Sequence, residues 1–96
     1  MTLTPEDLTR AAQIADPSLR IREIASEVAQ ETGIPYAAIL GPLRGHKVVS
    51  DARQLCMFIA ARNGFSTAQI SKAMGRDHTS VLHGVKAETK RRGMVN

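Results

Sequence analysis

The sequence holds a single cysteine, no tryptophan and only three aromatic side chains. One cysteine excludes an intramolecular disulfide framework, and with it the small secreted scaffolds that such frameworks sustain. It fits a reducing cytosol. Long hydrophobic runs are missing too. No stretch approaches the roughly 18 apolar residues that span a bilayer, and the opening MTLTPEDLTR has neither the basic n-region nor the apolar h-region of a signal peptide. The expected location is the cytoplasm, with no membrane partner. Alternating apolar and polar runs bounded by turns are absent, which argues against strands, and no G-x-x-x-x-G-K-[ST] loop offers a nucleotide site. There is no internal repeat or low-complexity segment.

What is present is a chain of 96 residues, 43% apolar and 23% charged, which is enough for one domain with a modest core. Thirteen Lys and Arg against nine Asp and Glu give a net charge of +4, and such an excess favours polyanionic partners. Helical spacing and helix punctuation recur throughout, so the fold class expected is all-α, a small helical bundle. Thr4 followed by Pro5, Glu6 and Asp7 marks a first helix ending near Asp16 and Pro17. Ser18 is the expected cap of the second, where Ile21, Ile24, Ala25 and Val28 form an apolar stripe and Gly33 is the stop. IPYAAIL adds a helical turn, and GPLRGHK, with two glycines and a proline, is a loop carrying Arg44, His46 and Lys47. Ser50 is the expected cap of a central, most buried helix, DARQLCMFIAARN, in which Leu55, Phe58 and Ile59 share a face. After Gly64, Ser66 or Thr67 caps the short helix AQISKAM, Gly75 breaks it, and Asp77 caps a basic last helix running to about Arg92. A short helix, a glycine turn and a longer basic helix trace a helix-turn-helix.

Asp77, His78, Thr79 and Ser80 contain the residue types of a nucleophile, a base and an orienting acid. Successive residues on a helix point about 100° apart, so four in a row do not converge on one reacting atom. No enzymatic activity is expected. His78 and His83 lie five apart, where two metal ligands on one helical face need a spacing near four, so no metal and no cofactor are expected either. On a wheel drawn from His78, Val81, Leu82 and Val85 form the apolar side that anchors the helix. Thr79, Ser80, His83, Lys86, Lys90 and Arg91 form an outer face of hydroxyls and cations, the groups that contact phosphate oxygens and base edges. A merely solvated face is the commoner fate of such a charge run. The wheel turns His78 toward the apolar side, as a structural histidine. Arg53, in the apolar central helix, is either a core-rim ion pair to Asp51 or another acid, or a phosphate contact. Arg44 and Lys47 suit a minor groove, or simply an exposed basic loop.

DARQLCMFIAARNGFSTAQISKAMGRDHTSVLHGVKAETK resembles the C-terminal DNA-binding domain (domain IV) of the bacterial replication initiator family DnaA. Residues Arg76 to His83 fit its R-D-H-[ST]-[ST]-V-x-H motif in full, and Arg53 and Gln54 begin its R-Q-x-A-M motif, with Cys56 in place of the alanine. The similarity extends back to about Arg20. It implies a helix-turn-helix of the Trp-repressor-like kind that binds double-stranded DNA at the A·T-containing DnaA box. Asp77, His78 and Thr79 would reach bases in the major groove, the tip of the helix facing DNA despite the wheel. Arg76 and Ser80 would contact bases or backbone nearby, Arg53 and Gln54 would hold phosphate, and the loop from Arg44 to Lys47 would supply a minor-groove arm. Ser66, Thr67, His83, Lys86 and Lys90 complete the candidate DNA contacts.

The turn MGRDH is one glycine shorter than the family's common form, the loop is poorer in cations, and Asp51 stands where a further cation is common. Minor-groove readout is therefore expected to be weaker. The domain division expected is an N-terminal helical extension over 1–17, outside the resemblance, and the DnaA-like domain over 18–96. The ATPase domain of the initiator is absent from these residues. The expectation is a stand-alone, bacterial or phage, nucleoid-associated DNA-binding protein that occupies DnaA-box-like sites and modulates replication initiation or transcription. The alternative is a protein-interaction regulator of the initiator or its helper proteins, with vestigial DNA binding.

Overall fold

Helix punctuation accounts for most of the architecture. The computed structural model describes residues 4–42 and 46–93. Six helices follow one another, α1 (Pro5–Ala15), α2 (Pro17–Thr32), α3 (Tyr36–Leu40), α4 (Lys47–Arg62), α5 (Thr67–Met74) and α6 (His78–Arg91), with no strand among the described residues. Thr4 Oγ1 accepts the Asp7 N–H at 3.1 Å, and the Asp7 carboxylate accepts the Thr4 N–H at 3.1 Å, a reciprocal closure of α1.

Two expected caps fall elsewhere. Asp16, not Ser18, caps α2: its carboxylate accepts both the N–H (3.1 Å) and the hydroxyl (2.6 Å) of Ser18, while Pro17 presets the first helical φ. Nor does Ser50 cap α4, which begins a turn earlier at Lys47. The His46 carbonyl accepts from Val49 and Ser50 at 2.9 and 3.1 Å, so the backbone itself has closed that turn before Ser50. Gly33, at φ 75°, ends α2 with its N–H on Ala29 O. Ser66 and Gln69 form a capping box at the start of α5.

The α2 stripe Ile21, Ile24, Ala25 and Val28 is buried, as its spacing predicted. It meets Ile39 of α3, Ala52, Cys56, Met57 and Ala60 of α4, Ile70 and Met74 of α5, and Val81 of α6 in one core. The central helix α4 packs against α2, α3, α5 and α6. Its buried face is led by Ala52, Cys56, Met57 and Ala60, whereas Leu55 and Ile59 are half-buried at its edges. Phe58 is covered by the guanidiniums of Arg62 and Arg92, 5.9 and 4.5 Å from its ring centroid.

Gly84 of α6 lies against Met57 and Gln54 where α6 crosses α4. A Cβ on Gly84 would lie 2.3 Å from Met57 Sδ and 3.4 Å from Gln54 Cγ. Gly84→Val should therefore destabilise the fold by about 1–3 kcal/mol despite valine's better helix propensity, since a branched side chain forces the two helices apart. Urea denaturation checks this, and an unchanged midpoint would mean that the crossing is not set here.

Candidate nucleic-acid interface

Between α5 and α6 the chain turns in three residues. Gly75 takes a left-handed conformation at φ 64°, which side chains bearing a Cβ rarely adopt. Arg76 N–H donates to Ser71 O at 3.1 Å, and the Ser71 hydroxyl donates to Arg76 O, so the middle of the turn is held to α5 through both backbone groups of Arg76. Asp77 Oδ1 accepts the Ser80 N–H at 2.7 Å and caps α6. That hydrogen bond, the Ser80 hydroxyl and, to a lesser degree, the neighbouring His78 hold the Asp77 carboxyl below its ordinary range. A charged cap therefore sits at the tip of the helix.

His78, Thr79, Ser80, His83, Lys86 and Lys90 are all exposed on α6. Thr79, His83, Lys86 and Lys90 follow the spacing i, i+4, i+7, i+11 and line a single outward stripe. Near the start of α6 two positions depart from the wheel. His78 is exposed and does not join the apolar side, and Leu82, placed with the core by its spacing, is 59% exposed. Val81 and Val85 do face inward, the first fully buried and the second half-buried. Leu82 borders a cleft with Phe65, Thr67, Val85 and Lys86 on the flank of α6 that faces the start of α5 and the end of α4.

On the other flank, an open groove of about 420 Å³ separates α6 from α4. It brings together Arg53, Gln54, Arg76, Asp77, Thr79, Ser80 and His83 of the expected set, with Ser50 and Met57. Ser50 was read only as a cap, although its spacing four before Gln54 puts both on one face of α4. Arg53 is only 9% exposed. Its guanidinium donates to Ala38 O (2.7 Å), Ile39 O (3.2 Å) and Gly41 O (3.2 Å), the carbonyls at the end of α3. Arg76 also donates to Gly41 O. Asp51, one of the partners left open for Arg53, is engaged instead by Lys47 and Arg91, at 2.7 and 3.1 Å. Burial, and secondarily the charge of Arg76, lowers the Arg53 pKa.

The remaining expected contacts divide. Ser66 and Thr67 lie away from the α4 groove. Ser66 is spent on the cap of α5, and Thr67 lines the cleft beside Leu82. Arg91, placed on the outer face by the wheel, turns back onto α4 and donates to Asp51 and Gln54. Arg44 lies outside the described residues. Cys56 is buried, and desolvation pushes its thiol up to about 12, which leaves it an inert core residue. No helix is long and apolar enough to cross a membrane, and no cluster of three metal-binding side chains occurs among the described residues.

A capped short helix, a left-handed glycine turn and a second helix with a hydroxyl-rich, basic outer face define a helix-turn-helix domain. Comparison with known proteins specifies it further. The profile described as "Bacterial dnaA protein helix-turn-helix" matches residues 21–87, and the chain belongs to that family of DNA-binding domains. Proteins named "Chromosomal replication initiator protein DnaA" from Cereibacter sphaeroides and Roseobacter denitrificans are each 30% identical over 88 residues, and that of Ruegeria pomeroyi is 31% identical. These alignments cover 90% of this chain and 19% of each relative, so the chain spans about a fifth of the length of the curated relatives it matches. No solved structure matches the chain significantly.

Proposed function

We propose that the chain recognises DnaA-box-like sites in double-stranded DNA through α6, without chemistry of its own, and thereby modulates replication initiation or transcription on the nucleoid. The observation that carries this reading is the outward stripe Thr79, His83, Lys86 and Lys90, which begins at the capped tip Asp77 to Ser80. A major groove about 12 Å wide accepts one helix, and hydroxyl, imidazole and carboxylate groups at its N-terminal end reach base edges while cations further along reach phosphates. In this reading Asp77, His78 and Thr79 read bases. Ser80, Gln54 and Arg76 border the phosphates beside the groove, and Lys86 and Lys90 follow the backbone. Leu82 joins them as an apolar surface suited to a thymine methyl. Arg44 supplies a cation to an adjoining minor groove, and Lys47 a second one attenuated by its pair with Asp51.

The test is fluorescence anisotropy with a duplex carrying a DnaA box and a scrambled duplex of equal composition, titrated over a series of salt concentrations. Box-preferring binding that persists as salt rises supports the proposal. Equal, steeply salt-sensitive binding to both duplexes reduces the surface to a basic patch, and no binding to either transfers the function to protein partners of the initiator. Within this experiment Lys90→Ala should weaken both duplexes alike and reduce the log–log salt slope by about 1. An unaltered slope would remove Lys90 from the phosphate contacts.

A further inference from the structure

Asp51 lies on α4 next to Ser50 of the reading groove and lines, with Arg91 and Glu88, a neighbouring cleft. Its carboxylate accepts from Lys47 Nζ at 2.7 Å and from the Arg91 guanidinium at 3.1 Å. Arg91 is shared with a second acid, Glu88, at 3.2 Å, and also donates to Gln54 Oε1; Gln54 lines the groove beside Thr79 and Ser80, so the pairing adjoins the surface on which DNA is proposed to sit. The side chain of Lys47 is 81% exposed, that of Arg91 38% and that of Asp51 36%. Ion pairs so open to water contribute little to folding. The hydrogen bond from Lys47, reinforced by the charges of Lys47 and Arg91, holds the Asp51 carboxyl below its usual range, so it remains an anion wherever the protein is folded near neutrality.

The consequence is electrostatic. A cation that meets a DNA phosphate releases a counterion, and each such contact strengthens binding to any sequence and steepens its salt dependence. A cation already neutralised by a carboxylate contributes far less.

We propose that Asp51 is an attenuator of sequence-independent DNA binding: by neutralising Lys47 and Arg91 at the rim of the reading face, it weakens adhesion to every duplex alike and leaves base preference to the tip of α6. This rests on the DNA-binding reading above. The rim cations are thereby kept from prolonging residence on non-target DNA.

The experiment uses the full chain, the box and scrambled duplexes and a salt series. Asp51→Asn removes the charge and keeps the shape. It should tighten binding to both duplexes by roughly threefold or more near physiological salt and steepen the log–log slope by about 1, since Lys47 is released while Arg91 keeps Glu88, with the ratio of the two affinities unchanged. Asp51→Ser must do the same, and thermal melts verify that each variant is folded. In a Lys47→Gln/Arg91→Gln background, Asp51→Asn should leave affinity and slope where they were. Unchanged affinity and slope in the single variant would overturn the attenuator, as would a shifted affinity ratio, which would mean that Asp51 acts by moving α6. An equal gain in the doubly substituted background would also overturn it, in favour of direct repulsion between the carboxylate and phosphate. Failure of the unaltered chain to bind either duplex overturns the DNA reading itself, whereas its binding normally with Asp51→Asn indistinguishable from it overturns the attenuator alone.

Discussion

Arg53→Ala should cost about 3 kcal/mol of folding stability, the largest loss expected from a single polar side chain in this protein. The last carbonyls of a helix have no partner within it, and in α3, only five residues long, these are a large share of all its carbonyls. The Arg53 guanidinium answers three carbonyls at once, those of Ala38, Ile39 and Gly41, and places a cation at the negative end of the helix. Alanine would leave the Ala38 and Ile39 carbonyls unmet, with Gly41 O still held by Arg76, at a site where the native side chain is 9% exposed, and would remove the packing of the arginine stem. For a chain of this size each kcal/mol moves Tm by roughly 4–8 °C, so a thermal melt resolves the change easily. Arg53→Lys should recover only part of the loss, because a single ammonium does not reproduce a fork with several fixed donors. The same variants bear on the phosphate role that the family resemblance implies. If Arg53 holds α3, its loss appears in the melt while the salt slope of DNA binding by the folded protein stays as it was. A stable Arg53→Ala protein whose slope falls by about 1 would reverse that assignment.

The elements governed by local chemistry were legible in the sequence. The stripe of α2, the glycine stops at Gly33 and Gly75, and the cap at Asp77 follow from spacing and from single residues. Caps were less so where several oxygens compete. Ser18 and Ser50 are good caps in isolation, but Asp16 lies before a proline that fixes the helix start, and the His46 carbonyl closes the first turn of α4 before Ser50 is reached. The wheel misplaced His78 and Leu82 because it treats a helix as an endless cylinder. His78 is the first residue of α6 and has no preceding helical turn to rest on, while the flank that Leu82 occupies is left as an open cleft between Phe65 and Lys86. Arg53 was illegible for another reason. Its acceptors are backbone carbonyls 12 to 15 residues earlier, and any residue type offers the same carbonyl, so nothing in the sequence marks them. Half of the expected contacts share one place: seven of the fourteen line the groove between α4 and α6, whereas Ser66 and Thr67 lie apart from it.

Thr79→Ala should reduce discrimination between box and scrambled duplexes by about 1–3 kcal/mol, or roughly five- to 150-fold, at nearly constant stability. Thr79 is the second residue of α6, exposed on the outward stripe and adjoining the groove. It carries a hydroxyl and a methyl group, which suit a base-edge acceptor and a thymine methyl respectively. Alanine is a better helix former than threonine and nothing in the core is disturbed, so folding should change by less than about 0.5 kcal/mol. Because no charge is removed, the salt slope should hold, in contrast to Lys90→Ala, where the slope falls and discrimination stays. Thr79→Ser separates the two groups. Recovered discrimination assigns the readout to the hydroxyl, and continued loss assigns it to the methyl. Equal weakening of both duplexes by Thr79→Ala would make this residue a backbone contact. No weakening at all would place base reading elsewhere than the tip of α6, since a side chain so exposed at that tip has no other way to escape the groove it would enter.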